Sequence, residues 1–361
     1  MSSLDGVIEG GYLSDILNQP GALEDTLAGL KESGALADTA RRLGKGEFQR
    51  IVLTGMGSSL HALHPLQVRL LNHGWTSIML ETSELVHYAP GILDAATLLI
   101  AVSQSGRSAE ILRLLEVRKS GCVTVAITNT PDSPLAERSH ATVLTRAGAE
   151  FTVSTKTYVA ALMALAWTAD LLTQRDLSET RRELAKAAPA VAAYLSNWKA
   201  HVRELVTELA GVRRLFVLGR GPSLASAGTA GLIIKESTHF HAEGMSAAAF
   251  RHGPFEMLSG DLYAVVFSGD PPTAELNRKM VQDIVRAGGR AALVGEGADP
   301  GVFRLPQAPA AVRPILEILP VEMITLALAA LTGREAGRFE RASKITAIEC
   351  NAVTAWWAWF S

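Results

Sequence analysis

Two serine-rich segments of the chain carry the residue types best suited to binding an anion. Gly55-Met-Gly-Ser-Ser59 and Ser103-Gln-Ser-Gly-Arg-Ser108 each follow a short apolar run and precede a helical pattern. At such a strand-to-helix turn, hydroxyl groups and the first backbone amides of the helix converge on one point, where the helix dipole also favours negative charge. Either segment alone could be an ordinary helix N-cap with spare serines. The presence of both favours a phosphate site, to which Ser58 and Ser59 add hydroxyls.

The elements that must position these segments are short strands alternating with helices. Residues 12–43 have the apolar spacing of helices, interrupted at Pro20. After them, the alternation of strands with helical patterns predicts right-handed βαβ units and a parallel sheet. The strand candidates are residues 51–54, 77–80, 97–102, 123–128 and 141–145.

The same alternation of strand and helix patterns then occurs a second time, which indicates a duplicated domain. Residues 51–59 are echoed by 215–223, residues 98–102 by 262–266, and residues 125–128 by 291–294. We therefore predict an α/β fold of two tandem domains, each a five-stranded parallel sheet flanked by helices in a flavodoxin-like three-layer sandwich. The predicted parts are N-terminal helices at 1–45, a first domain at 46–190, a linker helix around 178–201, a second domain at 200–345 and a tail at 346–361.

The two copies differ where open α/β sheets bind ligands, at the carboxyl ends of their strands. The first copy has the hydroxyl-rich segment 103–108 there. The second has Phe267-Ser-Gly-Asp-Pro-Pro272, which is acidic and blocked by proline. We expect the first copy to hold the anionic part of a ligand and the second to contribute something else.

Composition excludes several classes of protein. The formal net charge of −2 gives no basic field for nucleic acid. Cys122 and Cys350 cannot form a disulfide framework and have no partners at zinc-ligand spacing. The start lacks the segments of a signal peptide, and Glu317 and Glu322 interrupt one of the longest apolar runs. We expect no membrane span and a cytoplasmic location.

Seven short motifs occur in order within residues 10–349. They are Tyr12-Leu-Ser-Asp-Ile-Leu-Asn-Gln-Pro20, Ser103-Gln-Ser-Gly106, Glu150-Phe-Thr-Val-Ser-Thr-Lys156, Lys235-Glu236, His241-Ala-Glu243, His252-Gly-Pro254 and Ser343-Lys344. The ordered set resembles the isomerase half of glucosamine-6-phosphate synthase, which is built from two sugar isomerase (SIS) domains. It equally resembles free-standing relatives, namely the SIS-type glucosamine-6-phosphate deaminases, tagatose-phosphate-linked isomerases and fructosamine-phosphate deglycases.

The resemblance implies roles for individual residues. Glu236 matches the base that moves a proton between carbons 1 and 2 of the open-chain sugar, His252 the ring-opening histidine supplied by a neighbouring subunit, and Lys344 a lysine that engages the sugar carbonyl. Lys344 could form an imine or polarise the carbonyl oxygen. Without that context, these residues could be a helical surface Glu, a loop His and a surface Lys. The residues that match the phosphate loop and its surroundings are Ser103, Gln104, Ser105, Ser108, Ser59, Ser154 and Thr155.

Several positions depart from the synthase pattern or allow another interpretation. Ile233 stands where the synthase has an additional lysine, and Glu256 follows His252-Gly-Pro254 as in the deglycase branch. Glu256 could meet a cationic amine or be a solvated loop carboxylate, and Lys344 lacks the lead-in common in the family. His239, His241 and Glu243 would share one face of a strand and could be metal ligands, but the resemblance implies a structural role and no metal.

The resemblance implies a phosphosugar isomerase acting on an amino- or amine-substituted sugar 6-phosphate, without a metal, nucleotide or other cofactor. The chain shows no glutaminase half with its catalytic cysteine, so we expect deamination or deglycation rather than glutamine-driven synthesis. Two alternatives stay open: an isomerase of a neutral sugar phosphate, and a non-catalytic sugar-phosphate sensor, for which residues 1–45 offer no convincing DNA-binding motif.

The resemblance also implies an assembly, a homodimer or dimer of dimers with shared active sites, and no nucleic-acid or membrane partner. An aromatic cluster near the C-terminus is too apolar to remain in water, and we expect it to pack on the chain itself or on a sister subunit. Its members are Trp356, Trp357, Trp359 and Phe360.

Overall fold

Two parallel sheets organise the computed structural model, which describes residues 8–341 and 343–346. The first sheet has the order β2-β1-β3-β4-β5 and the second the order β7-β6-β8-β9. Every pairing is parallel, as the alternation of strands and helices predicted. The strands are β1 (Arg50–Gly55), β2 (Ser77–Glu81), β3 (Thr97–Val102), β4 (Val123–Thr128), β5 (Ala141–Leu144), β6 (Arg214–Gly219), β7 (Ala242–Ser246), β8 (Leu262–Phe267) and β9 (Arg290–Val294).

Helices cover both faces of the sheets. The helices are α1 (Gly11–Leu17), α2 (Gln19–Gly29), α3 (Gly34–Gly44), α4 (Ser58–His61), α5 (His64–Asn72), α6 (Thr82–Tyr88), α7 (Ala109–Val117), α8 (Pro134–Glu137), α9 (Lys156–Leu172), α10 (Leu177–Leu184), α11 (Ala187–Leu195), α12 (Trp198–Glu208), α13 (Leu224–Thr238), α14 (Ala247–Phe250), α15 (Pro271–Arg286) and α16 (Arg313–Thr332). Short 3₁₀ turns lie at Pro90–Ile92, Gly221–Ser223 and Pro254–Met257.

The second sheet has one strand fewer than we predicted. At its edge, where the first sheet has β5, only an isolated parallel bridge joins Gly295 to Arg304. The chain between them contains Gly297, Pro300 and Gly301. Glycine and proline weaken a strand and remove a donor from its ladder, so the pairing does not extend beyond one bridge.

The central strands are buried on both faces, which explains their unbroken apolar sequences. All residues of β3, β4 and β8 are buried, as expected of parallel strands covered by helices on each side. One large apolar cluster runs through both repeats and includes much of α9 and α16. The two domains therefore share a core, which fixes their relative position.

Helix α16 corrects one expectation about membrane-spanning length. Among the described residues it is the one helix long and apolar enough to qualify as a span by length and composition, despite Glu317 and Glu322. However, 89% of its apolar window is buried within the protein. It is thus placed as a core helix of the folded chain.

The segment between the repeats is helical, but it forms three helices rather than one. In α10, α11 and α12, one face is buried through residues such as Leu184, Val191 and Leu205. The opposite face is exposed; it is polar in α10 and α12 and consists of alanine and proline in α11. The N-terminal helices match the predicted pattern, with Pro20 at the start of α2. Leu17, the last residue of α1, has an exposed side chain and stays outside the core.

Candidate active site

A cavity of about 760 Å³ lies at the carboxyl end of the first sheet and is closed on one side by α13 of the second repeat. Its size is that of a small-molecule site. Both repeats contribute to its walls, as do residues 339–341 and 343–346. The residues predicted from sequence that line it are Ser58, Ser59, Ser103, Gln104, Ser105, Ser108, Ser154, Glu236 and Lys344.

The serine loop after β3 is held in place by its own backbone amides. Ser103 Oγ accepts a hydrogen bond from Gly106 N at 3.1 Å, and Ser105 Oγ accepts one from Arg107 N at 3.3 Å. A hydroxyl oxygen that accepts a bond keeps its own proton for donation. Gly106 has φ +60°, and a Cβ there would lie 2.3 Å from Ser133 Oγ. The tight turn therefore requires glycine and directs two hydroxyl donors at one wall of the cavity.

The other predicted hydroxyls differ in their availability. Ser58 Oγ is buried and has no hydrogen-bond partner, so it is free to bond a ligand. Ser154 Oγ lies 3.0 Å from Thr157 Oγ1. Thr155 does not line the cavity; it is fully buried, and its amide and hydroxyl both contact Glu150. It therefore supports another residue of the wall rather than contributing its own hydroxyl to the cavity.

Glu150 is the residue of this wall that sequence reasoning missed. Its Oε1 accepts from the amides of Thr155 at 2.9 Å and Thr157 at 3.0 Å, and its Oε2 accepts from Thr157 Oγ1 at 2.6 Å. The carboxylate is almost fully buried and is paired with Lys344 Nζ at 3.2 Å. The turn 150–157 thus folds around this carboxylate. Its place at the head of the motif 150–156 was the available signal.

Glu236 faces the cavity from the last turns of α13, within a partly desolvated wall. Burial, together with the negative charge of Glu150, raises the pKa of Glu236 to about 7, although Lys235 opposes the shift. A carboxyl group with this pKa can exchange a proton near neutral pH. Ile233, three residues earlier, is fully buried and does not line the cavity.

Lys344 approaches the cavity from the segment that follows the second repeat. Its Nζ donates to Glu150 O at 2.6 Å and to Glu150 Oε2 at 3.2 Å. This anchor, between residues far apart in sequence, holds the ammonium group beside Glu150 and at the edge of the cavity. The structure thus brings Lys344 to the same cavity as the serines and Glu236.

Glu110 is a second carboxylate that the sequence did not suggest. It lies in the first turn of α7, directly after the serine loop, and it lines the cavity. Its Oε2 is buried and has no hydrogen-bond partner. This oxygen can accept a hydrogen bond from a hydroxyl or amino group of a ligand.

His252 and Glu256 lie away from this cavity. Both are exposed, in the segment that follows α14, and neither belongs to its lining. Within one chain, therefore, His252 is not brought to Glu236. Its role would have to be exercised on another subunit.

The alternating pattern of His239, His241 and Glu243 does not form a strand face. His239 caps α13 in the left-handed conformation, and only Glu243 lies within β7. His239 Nδ1 is 2.8 Å from Arg334, whereas Glu243 pairs with Lys235 at 3.8 Å. In the part of the chain that the structure describes, no group of three or more His, Cys, Asp or Glu side chains could hold a metal ion.

Cys122 and the C-terminal aromatics complete the residues singled out from sequence. Cys122 is a buried free thiol, and burial raises its pKa to about 11. Such a thiol is a packing residue rather than a nucleophile. Cys350 and the aromatic cluster 356–360 lie outside the described residues.

The tandem sheets with a ligand-sized cavity between them define a duplicated α/β protein, and comparison with known proteins identifies its family. The model of the SIS domain matches residues 47–169 and 208–295. The chain belongs to the SIS domain family.

Relatives support this assignment over nearly the whole chain. The glutamine–fructose-6-phosphate aminotransferase (isomerizing) of Pyrococcus horikoshii is 31% identical over 367 residues, which cover 96% of this chain and 60% of the relative. The chain thus spans about 60% of the length of the curated relatives it matches.

Two solved structures share the fold. The C-terminal domain of glucosamine-fructose-6-phosphate aminotransferase from Francisella tularensis has a TM-score of 0.81 at 22% identity, covering 91% of this chain and 98% of that one. The glucosamine-6-phosphate deaminase of Thermotoga maritima has a TM-score of 0.73 at 18% identity, covering 90% of this chain and 96% of that one.

Proposed function

We propose that this protein is a phosphosugar isomerase that acts on an amino- or amine-substituted sugar 6-phosphate and couples aldose–ketose isomerisation to deamination or deglycation. One observation carries the proposal: a carboxyl group with a pKa of about 7, that of Glu236, faces the same cavity as the serine loop. A proton-transfer group and an anion site are what such a reaction requires.

The serine loop would bind the phosphate group. Ser103 and Ser105 have protons free to donate, and Ser58 Oγ lacks any partner in the described structure. Hydrogen bonds from such donors to a dianion contribute about 1.5–3 kcal/mol each. The phosphate end would therefore fix the substrate, with its carbon chain extending towards α13.

Glu236 would move a proton between carbons 1 and 2 of the open-chain sugar. As a carboxylate it removes the proton from one carbon, and as the carboxylic acid it returns a proton to the neighbouring carbon. A pKa near 7 makes both forms accessible at neutral pH, and such a positioned group contributes about 10²- to 10⁴-fold to the rate.

Lys344 and Glu150 would act on the oxygen side of the reacting carbons. Lys344 is held beside Glu150 through the two contacts described above. Its ammonium group can polarise a carbonyl oxygen and stabilise the negative charge that develops there when Glu236 removes a proton. Imine formation would first require loss of a proton from this ion-paired amine, so the geometry favours polarisation.

The amine-bearing substrate is supported by the apolar environment of α13 and by the fold comparison. Ile233 is fully buried and takes the position of the additional synthase lysine. This chain therefore lacks the ammonium group that would assist proton transfer to and from the amine in an amine-incorporating enzyme. The unpartnered Glu110 Oε2 offers an acceptor for an amino group. The Thermotoga maritima protein of the same fold is a glucosamine-6-phosphate deaminase by name.

The test is a panel of sugar 6-phosphates, assayed for released ammonia, free amine and ketose–aldose exchange, with solvent deuterium incorporation at carbons 1 and 2. Glu236→Gln keeps the shape of the side chain but removes the base. We expect nearly unchanged ligand affinity and a loss of exchange of about 10³-fold. The matched control is Glu243→Gln, a half-exposed carboxylate that does not line the cavity, which should retain wild-type exchange.

The same assay separates the alternatives. Exchange without ammonia or amine release would indicate an isomerase of a neutral sugar phosphate. Tight binding of a sugar phosphate without any exchange would indicate a sensor. Deuterium incorporation at the wild-type rate in Glu236→Gln would remove Glu236 from the mechanism.

A further inference from the structure

A second cavity, of about 500 Å³, lies at the carboxyl end of the second sheet. It is bordered by the loop after β8, the start of α15, the segment after β9 and the first turns of α16. Of these elements, the loop after β8 is the counterpart in the second repeat of the serine loop after β3. The residues used below that line it are Ala274, Glu275, Arg278, Glu296, Arg313 and Glu317.

Glu317 carries the observation that points to a ligand. The side chain is buried, with 1% of the residue exposed, and it lines the cavity. Its Oε1 accepts a hydrogen bond from Ser223 Oγ at 2.7 Å, but its Oε2 has no hydrogen-bond partner. A buried carboxylate oxygen without a partner is costly, and a donor placed in the cavity would remove that cost.

The loop of this cavity lacks the amide donors that an anion needs. Pro271 and Pro272 occupy the first two positions of α15 and have no N–H group. The next two amides, of Thr273 and Ala274, donate to Asp270 O at 3.0 Å each. The helix start is therefore closed to a phosphate, in contrast to the loop 103–108.

The charges of the wall also disfavour an anion. Arg278 is paired with Glu275, and Arg313 is paired with Asp270. Two carboxylates, Glu296 and Glu317, form no ion pair with a basic side chain among the described residues. Burial raises the pKa of Glu317 to about 7, although the hydrogen bond from Ser223 and the charge of Arg313 oppose the shift.

We propose that this second cavity binds a small hydroxylated organic ammonium ion, whose charged amine donates to Glu317 Oε2. Its volume suits a single-sugar-sized molecule. The donors of such a ligand would meet the carboxylates of Glu317 and Glu296. This site does not depend on the activity proposed for the first cavity.

Three probes of similar size and different charge test the proposal: glucosamine, glucose and gluconate. We measure their binding to the full chain by calorimetry and by saturation-transfer NMR at neutral pH. Glucosamine should bind with a dissociation constant of about 1 mM or tighter, and glucose and gluconate at least about tenfold more weakly, since one charge-assisted hydrogen bond is lost. Equal affinity for all three, or no binding of glucosamine, would overturn the proposal.

Variants locate the bound probe. Glu317→Gln keeps the bond from Ser223 and should weaken glucosamine binding about tenfold or more. The matched control Glu322→Gln removes another buried carboxylate of α16 that does not line this cavity, and it should leave the affinity unchanged. Unchanged affinity in Glu317→Gln would refute the role of its Oε2.

A steric variant covers the case in which Glu317→Gln disturbs folding. Ala274→Phe fills the cavity from the first turn of α15, whereas Leu276→Phe enlarges an exposed side chain of the same helix. Glucosamine binding should disappear in the first and persist in the second. Binding that survives Ala274→Phe but is lost in the Ser103→Ala/Ser105→Ala variant would assign the probe to the first cavity and overturn the proposal.

Discussion

The two repeats have the same strand order around their central strands but end in different chemistry. In the first, the loop after β3 presents hydroxyls and turns on Gly106. In the second, the loop after β8 presents Asp270 and two prolines, and the cavity is lined by Glu317, whose buried Oε2 has no hydrogen-bond partner. The two repeats thus share their strand order but differ in the loops at the carboxyl ends of the strands, which is where open α/β sheets bind ligands.

Burial raises the pKa of three glutamates among the described residues, Glu236, Glu317 and Glu322, and two of them, Glu236 and Glu317, line cavities. Burial raises the pKa of both Glu236 and Glu317 to about 7. Glu236 belongs to the second repeat by sequence, yet it faces the cavity of the first through the end of α13. Glu317 faces the cavity of its own repeat. Two glutamates with the same raised pKa therefore belong to different cavities, because α13 and α16 place them on different sides of the shared core.

The largest expected effect concerns the serine loop 103–108, the first side of this comparison. Ser103→Ala/Ser105→Ala removes two hydroxyl donors, so binding of a phosphorylated sugar should weaken by about 100-fold or more. Binding of the unphosphorylated analogue should change little. Isothermal calorimetry with the two sugars measures both affinities.

The corresponding control lies in the second repeat. Thr273→Ala removes a hydroxyl group in the first turn of α15; this hydroxyl lies 3.4 Å from Asp270 O. The variant should bind the phosphorylated and the unphosphorylated sugar as tightly as the wild type does. If the double serine variant weakened the two sugars equally, the loop 103–108 would not be the phosphate site.

The fold was largely predictable because the buried strands are unbroken apolar runs. The predicted bounds of 97–102 and 123–128 are those of β3 and β4. The missing fifth strand of the second sheet was not predicted, because a single bridge at Gly295 depends on how a glycine- and proline-rich loop folds back. Pattern repetition alone does not determine that path.

The lining of the candidate site was predictable only where its residues are close in sequence. Ser103 and Ser105 lie within one turn, and their spacing indicated the loop that lines the cavity. The role of Glu150 depends on a turn that brings the amides of residues 155 and 157 to one carboxylate and on Lys344, which is far away in sequence. Glu317 resembled an interruption of an apolar helix, because its partner Ser223 belongs to another element.

A smaller effect concerns the pH dependence of Glu236. As the proposed base, Glu236 must be ionised, and its pKa is raised to about 7, so kcat/KM should rise about tenfold from pH 6 to pH 8. The neighbouring charge of Glu150 contributes to the raised pKa, so Glu150→Gln should move the midpoint to lower pH. The pH profiles of the wild type and of Glu150→Gln are measured with the same substrate, so ionisation of the substrate's phosphate affects both equally. A midpoint that does not move in Glu150→Gln would contradict the coupling between the two carboxyl groups.

The smallest effect tests whether the second repeat also serves a neighbouring subunit. His252 is exposed and does not line the cavity of its own chain, so we predict composite sites that combine one subunit's Glu236 with the partner's His252. In a two-fold dimer, mixed Glu236→Gln and His252→Ala subunits would then form one intact site of two. Random exchange of equal amounts makes half of the dimers mixed, so roughly a quarter of the wild-type activity should return. Subunit exchange is verified with differently tagged subunits. The activity of the Glu236→Gln variant alone supplies the baseline. Verified exchange without recovery would mean that His252 acts within its own chain or has no part in the reaction.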